Sequence, residues 1–140
     1  MQLIEGELTG RIIGAFYECY NNLRFGYLES VYRRALAVEL RLRGLQCRQE
    51  CPIDVVYKGV AVGHYRIDLL VEHRIVVEVK ASSSLGPNDK RQILHYLRAT
   101  NLQVGLLVHF GPEAEFHRVV NERPAHDAML PRGSDPAASA

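Results

Sequence analysis

Three charged residues interrupt apolar runs near the middle of this 140-residue chain. Asp68 sits between Ile67 and Leu69-Leu70-Val71, and Glu78 and Lys80 alternate with Val77 and Val79. A carboxylate or ammonium in a buried strand is costly unless it is paired or binds a metal. Strand side chains alternate, so Glu78 and Lys80 share one face and the two valines the other. Whether Asp68 joins them depends on the reversal at Glu72-His73-Arg74. A three-residue loop opposes Val71 to Ile75 and therefore Asp68 to Glu78, whereas a two-residue loop opposes Asp68 to Val77 and turns it away. The odd loop, or an equivalent bulge, is the expectation. Two carboxylates beside a lysine would then form a hard oxygen site suited to Mg²⁺ or Mn²⁺. The lysine could hold or deprotonate an attacking water, or neutralise charge developing on a phosphate. On residue chemistry alone a second reading stays open, a partly buried salt bridge from Lys80 to Glu78 or Asp68.

The elements that must position these groups follow from hydrophobic periodicity. Leu8, Ile12, Ile13, Phe16, Tyr20 and Leu23 recur at helical steps, with Thr9 as the expected cap. A second helix is predicted from Leu28 to Arg43, with Leu28, Val31, Tyr32, Ala35, Leu36 and Leu40 on one stripe. Gly44 suits its left-handed stop. CPIDVVYKG, VAVGHYRIDLLVE and RIVVEVKA then read as three strands of an antiparallel meander, reversing at Lys58-Gly59 and Glu72-His73-Arg74. Asn88 to Thr100 is a third predicted helix with Asn88 as its cap, and LQVGLLVHF and EFHRVV are the last two strands. The expected fold is one α/β domain over residues 1–120, in the order ααβββαββ, followed by a disordered tail over 121–140 rich in Pro, Ala and Ser.

Composition narrows the function classes. With 47% hydrophobic and 24% charged residues, the chain reads as an ordinary globular domain. A domain near this size buries about 70% of the surface of its unfolded chain and needs no disulfide or structural metal. Cys19, Cys47 and Cys51 lack C-x-x-C spacing and read as reduced thiols. No basic-apolar leader or apolar run of membrane-spanning length is visible, so a cytoplasmic protein is expected. The six histidines form no HExxH spacing. His64, four residues before Asp68, is expected on the same strand face, most simply as a surface residue.

Beyond these physical readings, Asp68, nine intervening residues and Glu78-Val79-Lys80 resemble the D...(D/E)xK signature of the PD-(D/E)XK nuclease superfamily. Gly26-Tyr27-Leu28-Glu29-Ser30-Val31-Tyr32 is similar to the GxxExxY motif that names a small family within it, and Gln92 and Tyr96 resemble the QxxxY element of its exonuclease-like branch. The similarity extends from about Leu8 to Val120; Arg24 departs from it, since many relatives have glycine there. The resemblance implies a restriction-endonuclease-like core, with a mixed central sheet flanked by helices. It also implies that Asp68 and Glu78 are metal ligands with the Val79 carbonyl, and that Lys80 is the catalytic lysine. Glu29 would complete the metal site directly or through water, and Gln92 and Tyr96 would position the lysine, the water or the nucleic-acid backbone.

A net charge of +1 argues at first against a nucleic-acid partner. The local distribution argues otherwise. The segment from Arg24 to Arg48 carries a net +4, and Lys90, Arg91 and Arg98 add charge around Gln92. Arg24, Arg33, Arg34, Arg91 and Arg98 are the candidate phosphate contacts, able to bind backbone without reading sequence. The expectation is a Mg²⁺- or Mn²⁺-dependent nuclease acting on DNA, with RNA a further candidate substrate, no membrane partner and homo-oligomerisation open. The alternative is a binding module that keeps the fold without turnover.

Overall fold

A computed structural model of the protein describes residues 4–122. The helices are α1 (Gly6–Leu23), α2 (Glu29–Leu42) and α3 (Pro87–Thr100); the strands are β1 (Cys47–Tyr57), β2 (Val60–Val71), β3 (Ile75–Lys80), β4 (Val104–Phe110) and β5 (Ala114–Val120). They follow one another as ααβββαββ, the expected restriction-endonuclease-like α/β order. One five-stranded sheet has the spatial order β1-β2-β3-β4-β5. Only β3 and β4 run parallel, and the other neighbours are antiparallel. This mixture follows from the connections: tight reversals suffice between antiparallel strands, whereas parallel neighbours need a crossover, supplied here by α3.

Each sheet face has its own core. On one, Ile12 and Phe16 of α1 and Leu36 and Leu40 of α2 meet Val77, Val79, Leu106 and Phe110. On the other, Ile93 and Leu97 of α3 pack over Ile67, Leu70, Val76 and Leu107. β4 is buried along its whole length, which explains its unbroken apolar run. A Cβ on Gly105 would come within 2.5 Å of Ile93 Cγ2, so the bare glycine sets how closely α3 approaches β4.

The structure corrects several local expectations. α1 begins before Leu8, and Thr9 lies inside it, its hydroxyl donating to the carbonyls of Glu5 and Gly6 at 3.0 and 3.1 Å instead of capping. Leu28 and Val31 sit at the margin of the α2 stripe and are exposed, and the buried face is Tyr32, Leu36, Ala37 and Leu40. The cap of α3 is Gly86, whose N–H donates to Asp89 Oδ2 at 2.7 Å; Asn88 lies within the helix and accepts from Arg91. β1 starts at Cys47, four residues before the predicted run. Gly44 does take the left-handed conformation after α2, at φ 82°. The tail lies outside the described residues apart from Asn121 and Glu122; Asn121 is buried and its N–H donates to Gln103 O at 2.7 Å.

Candidate active site

The reversal between β2 and β3 pairs Val71 with Ile75, Leu70 with Val76 and Leu69 with Val77, the register that brings Asp68 opposite Glu78. Glu72 and His73 adopt positive φ, at 53° and 57°, to make this odd loop. Main-chain pairing of β2 with β3 stops at Leu69 and Val77. Beyond that point side chains replace it. The Asp68 N–H donates to Glu78 Oε2 at 3.0 Å, and the Val79 N–H donates to Asp68 Oδ2 at 2.8 Å. The two carboxylates thus lie side by side where the strands part.

Of the carboxylates here Glu78 is buried, Asp68 half-buried and Glu29 exposed. Glu78 is 4% exposed, and burial together with the negative charge of Asp68 pushes its carboxyl up to about 8. The Asp68 N–H and Lys80 oppose the shift without cancelling it. Asp68 is also raised, chiefly by burial, against the pull of the Val79 N–H, Lys80 and Arg33. Glu29, the first residue of α2, is raised by burial and by Asp68, while Lys80, the Ala81 N–H and Arg33 favour its charged form. One lysine thus faces three carboxylates that feel one another.

Lys80 Nζ lies 4.0 Å from Asp89 Oδ1, so its ion pair is with the first turn of α3 and not with Glu78 or Asp68. This Asp89 contact was hidden in the sequence because it is set by the packing of α3 beside the end of β3, not by spacing along the chain. Tyr96 is buried on the same side, and its hydroxyl is pushed up to about 12 by burial and then by Glu78, Asp68 and Tyr65. Gln92, one turn earlier, is half-buried and makes no side-chain hydrogen bond among the described residues. His109 stands opposite Lys80 in the parallel β3–β4 register, and its Nε2 lies 2.7 Å from Ser82 O. The periodicity of β4 could have found it, since His109 is the polar residue of an otherwise apolar strand.

Gly26 lies in the loop before α2, and Glu29 and Tyr32 in the first turn of that helix. Gly26 has φ 132°, a conformation side-chain-bearing residues rarely adopt. The Tyr32 hydroxyl donates to Arg24 O and accepts the Tyr27 N–H at 3.1 Å, fixing the segment that delivers Glu29. Arg24, Arg34, Arg91 and Arg98 are exposed. Arg33 is turned inward, its side chain 16% exposed, with Nε 3.4 Å from Gln49 Oε1 and Nη2 3.7 Å from Glu50 Oε2.

β2 changes face near Asp68. Ile67 belongs to the α3-side core, as does Leu70, although strict alternation would separate them. Glu50, flanked by the pairs Gln49↔Leu69 and Cys51↔Ile67, has φ 50° at this change of face, and the β1–β2 register is the same on both sides of it. The change of face brings Tyr65 against Tyr96, with ring centroids 5.9 Å apart, and turns its neighbour His64 to the opposite face. His64 there meets Asp54, with Nδ1 2.7 Å from Oδ1, which corrects the expectation that it shares Asp68's face.

Asp68 and Glu78 each give one oxygen to a main-chain N–H, leaving Oδ1 and Oε1 for another ligand. Among the described residues no three His, Cys, Asp or Glu side chains gather tightly enough to enclose an ion. This donor set fits a Mg²⁺-like cation, which takes one or two carboxylates and keeps several waters. Positive charge there would also relieve the repulsion that raises Glu78.

A family model for the PD-(D/E)XK nuclease superfamily matches residues 6–119. A solved structure described as "Crystal structure of SSO0001" is 19% identical, with a TM-score of 0.48, the alignment covering 84% of this chain and 60% of that one. No curated protein matches the chain significantly. Among the described residues no helix is long and apolar enough to cross a membrane.

Proposed function

Because the chain belongs to the PD-(D/E)XK nuclease superfamily, whose members are mostly nucleases that typically use divalent metals, we propose that it hydrolyses phosphodiester bonds in DNA with Mg²⁺ or Mn²⁺. The observation that carries this reading is the pair of crossed hydrogen bonds that holds Asp68 and Glu78 together beside Lys80. Asp68 and Glu78 would hold the cation with the Val79 carbonyl, and Glu29 would reach it through water. When bound, such a cation polarises a phosphoryl oxygen and lowers the pKa of bound water. Lys80 holds the attacking water by donating from Nζ and offsets charge developing on the phosphate. Asp89 orients Lys80 from the α3 side. Tyr96 and Gln92 line that side and position the lysine, the water or the backbone. Arg24, Arg34, Arg91 and Arg98 contact flanking phosphates; Arg33 steadies Glu29 and Asp68 from within.

The Gly26-x-x-Glu29-x-x-Tyr32 loop supports placing the chain in the GxxExxY branch, since the glycine's φ and the tyrosine's hydrogen bonds both act on the approach to Glu29. Residues 1–120 would make up the nuclease domain, in a cytoplasmic protein. The experiment is cleavage of single- and double-stranded DNA with Mg²⁺, Mn²⁺ or EDTA by the wild type, Glu78→Gln and Lys80→Ala. Metal-dependent cleavage lost in both variants is the expected result. Cleavage surviving in a protein carrying both Glu78→Gln and Lys80→Ala would refute the assignment. The looseness of the carboxylate group favours one competing reading, a nucleic-acid-binding module without turnover. Metal-independent binding with no cleavage would establish it.

A further inference from the structure

Large apolar side chains scattered singly over a surface are ordinary. The loop before Glu29 is different: Phe25, Tyr27 and Leu28 are 45%, 52% and 76% exposed within four residues. The loop is also firmly held. Its Tyr27 N–H is bound by the Tyr32 hydroxyl at 3.1 Å, and that hydroxyl holds Arg24 O. The Tyr27 ring stands edge-on to Tyr32 at 6.0 Å; Tyr32 stacks on Phe110 at 4.2 Å, and Phe110 meets Phe16 at 4.9 Å. An aromatic column thus rises from the core and ends in an exposed ring two residues from Glu29. Extended chain of that length spans no more than ~7 Å.

A second exposed ring lies three residues before Asp68. Tyr65 is 48% exposed, anchored on Tyr96 at 5.9 Å, and a Cβ on Gly63 would press within 3.1 Å of its ring. Two of the three carboxylates, Glu29 and Asp68, are therefore preceded by an exposed tyrosine whose ring is fixed by a buried one.

We infer that Tyr27 and Tyr65 are stacking platforms for unpaired bases of single-stranded DNA on either flank of the scissile phosphate. A ring offers its face to any base, but bases within a duplex already stack on one another, so such platforms select unpaired or splayed nucleotides. Exposed Arg24 beside Phe25 supplies the charge for the adjoining backbone. The inference deepens the nuclease reading and rests on it for the substrate class.

The test is fluorescence anisotropy of the full chain in EDTA with labelled oligothymidylate, an abasic strand of equal length and a blunt duplex. The wild type should favour oligothymidylate over both others. Tyr27→Ala and Tyr65→Ala should each weaken oligothymidylate binding on the order of tenfold and leave the abasic strand unchanged. Tyr27→Trp should restore the affinity, and Tyr57→Ala, at the exposed β1–β2 tip, should have no effect. Equal binding of oligothymidylate and abasic strand overturns the inference. So does a Tyr27→Ala protein that binds normally but loses self-association in sedimentation, which would give the ring to a second copy. A base preference that survives in a protein without Mg²⁺-dependent cleavage supports the platforms while refuting the nuclease reading.

Discussion

Replacing Glu78 by glutamine should stabilise the metal-free protein at alkaline pH. The amide oxygen can still accept the Asp68 N–H that Glu78 Oε2 accepts at 3.0 Å, so the substitution removes charge and keeps the hydrogen bond. In the folded wild type this carboxyl is raised from 4.5 to about 8. Folded protein therefore keeps a proton that the unfolded chain has released, and stability falls as pH climbs through that window. The carboxyl imposes no penalty below the unfolded value, and the full penalty is present above the folded one. At about 1.4 kcal/mol per pKa unit, the window corresponds to ~5 kcal/mol. For a domain of this size that is on the order of 15–20 °C in Tm. Asp68 and Glu29 are shifted in the same direction, so the variant should flatten the profile without abolishing its slope. Thermal unfolding of both proteins in EDTA from pH 4 to 9 makes the measurement. The curves should converge at the acid end and separate above neutrality, and Mg²⁺ should raise the Tm of the wild type at pH 8 but not that of the variant. Parallel curves across the whole range would refute the buried-charge argument.

Three further changes test the scaffold. Arg24 has φ 61° and ψ −173°, a region that suits glycine, so Arg24→Gly should raise stability by ~1 kcal/mol in urea titration, even as it removes a proposed phosphate contact. Tyr32→Phe removes a hydroxyl bonded to both Arg24 O and the Tyr27 N–H; it should cost ~1–3 kcal/mol and increase hydrogen exchange at Tyr27. Gly105→Ala drives a methyl to within 2.5 Å of Ile93 Cγ2 and 3.3 Å of Val76 O, and should lower stability by ~1–3 kcal/mol as read by thermal unfolding.

The pairing of Asp68 with Glu78 was legible because β-sheet parity is strict: once Glu72-His73-Arg74 is an odd loop, the opposed pairs follow. The order of elements was equally open to reading, from periodicities of two and 3.6 residues. What stayed hidden depended on contacts between elements. The face change near Asp68 relies on Glu50 at φ 50°, and a glutamate announces no left-handed turn. It decided that Tyr65, and not His64, approaches Tyr96. Thr9 and Asn88 have the right chemistry for caps, but the helices begin earlier and use Glu5 and Gly86 instead. Arg33 looked like its exposed neighbour Arg34 until Gln49 and Glu50 of β1 were placed beside it. Lys80 found Asp89 for the same reason, a partner set by tertiary packing and not by spacing.

The crossed hydrogen bonds give Asp68 and Glu78 two tasks, and the choice of substitution separates them. As β2 and β3 part beyond Leu69 and Val77, the carboxylates take over the cross-strand bonding, Asp68 accepting from the Val79 N–H and Glu78 from the Asp68 N–H. Alanine at position 78 removes both the charge and the acceptor, leaving the Asp68 N–H without its partner at a cost of ~1–3 kcal/mol. Loss of activity in Glu78→Ala would therefore mix a missing ligand with a loosened strand end. Glutamine at 78 and asparagine at 68 keep an acceptor oxygen and remove only the charge. If the two residues serve a cation, both amide variants should fold with intact hydrogen-exchange protection at Asp68 and Val79 and still lose Mg²⁺-dependent stabilisation. If their task is only to close the ladder, the amide variants should match the wild type in every Mg²⁺ titration.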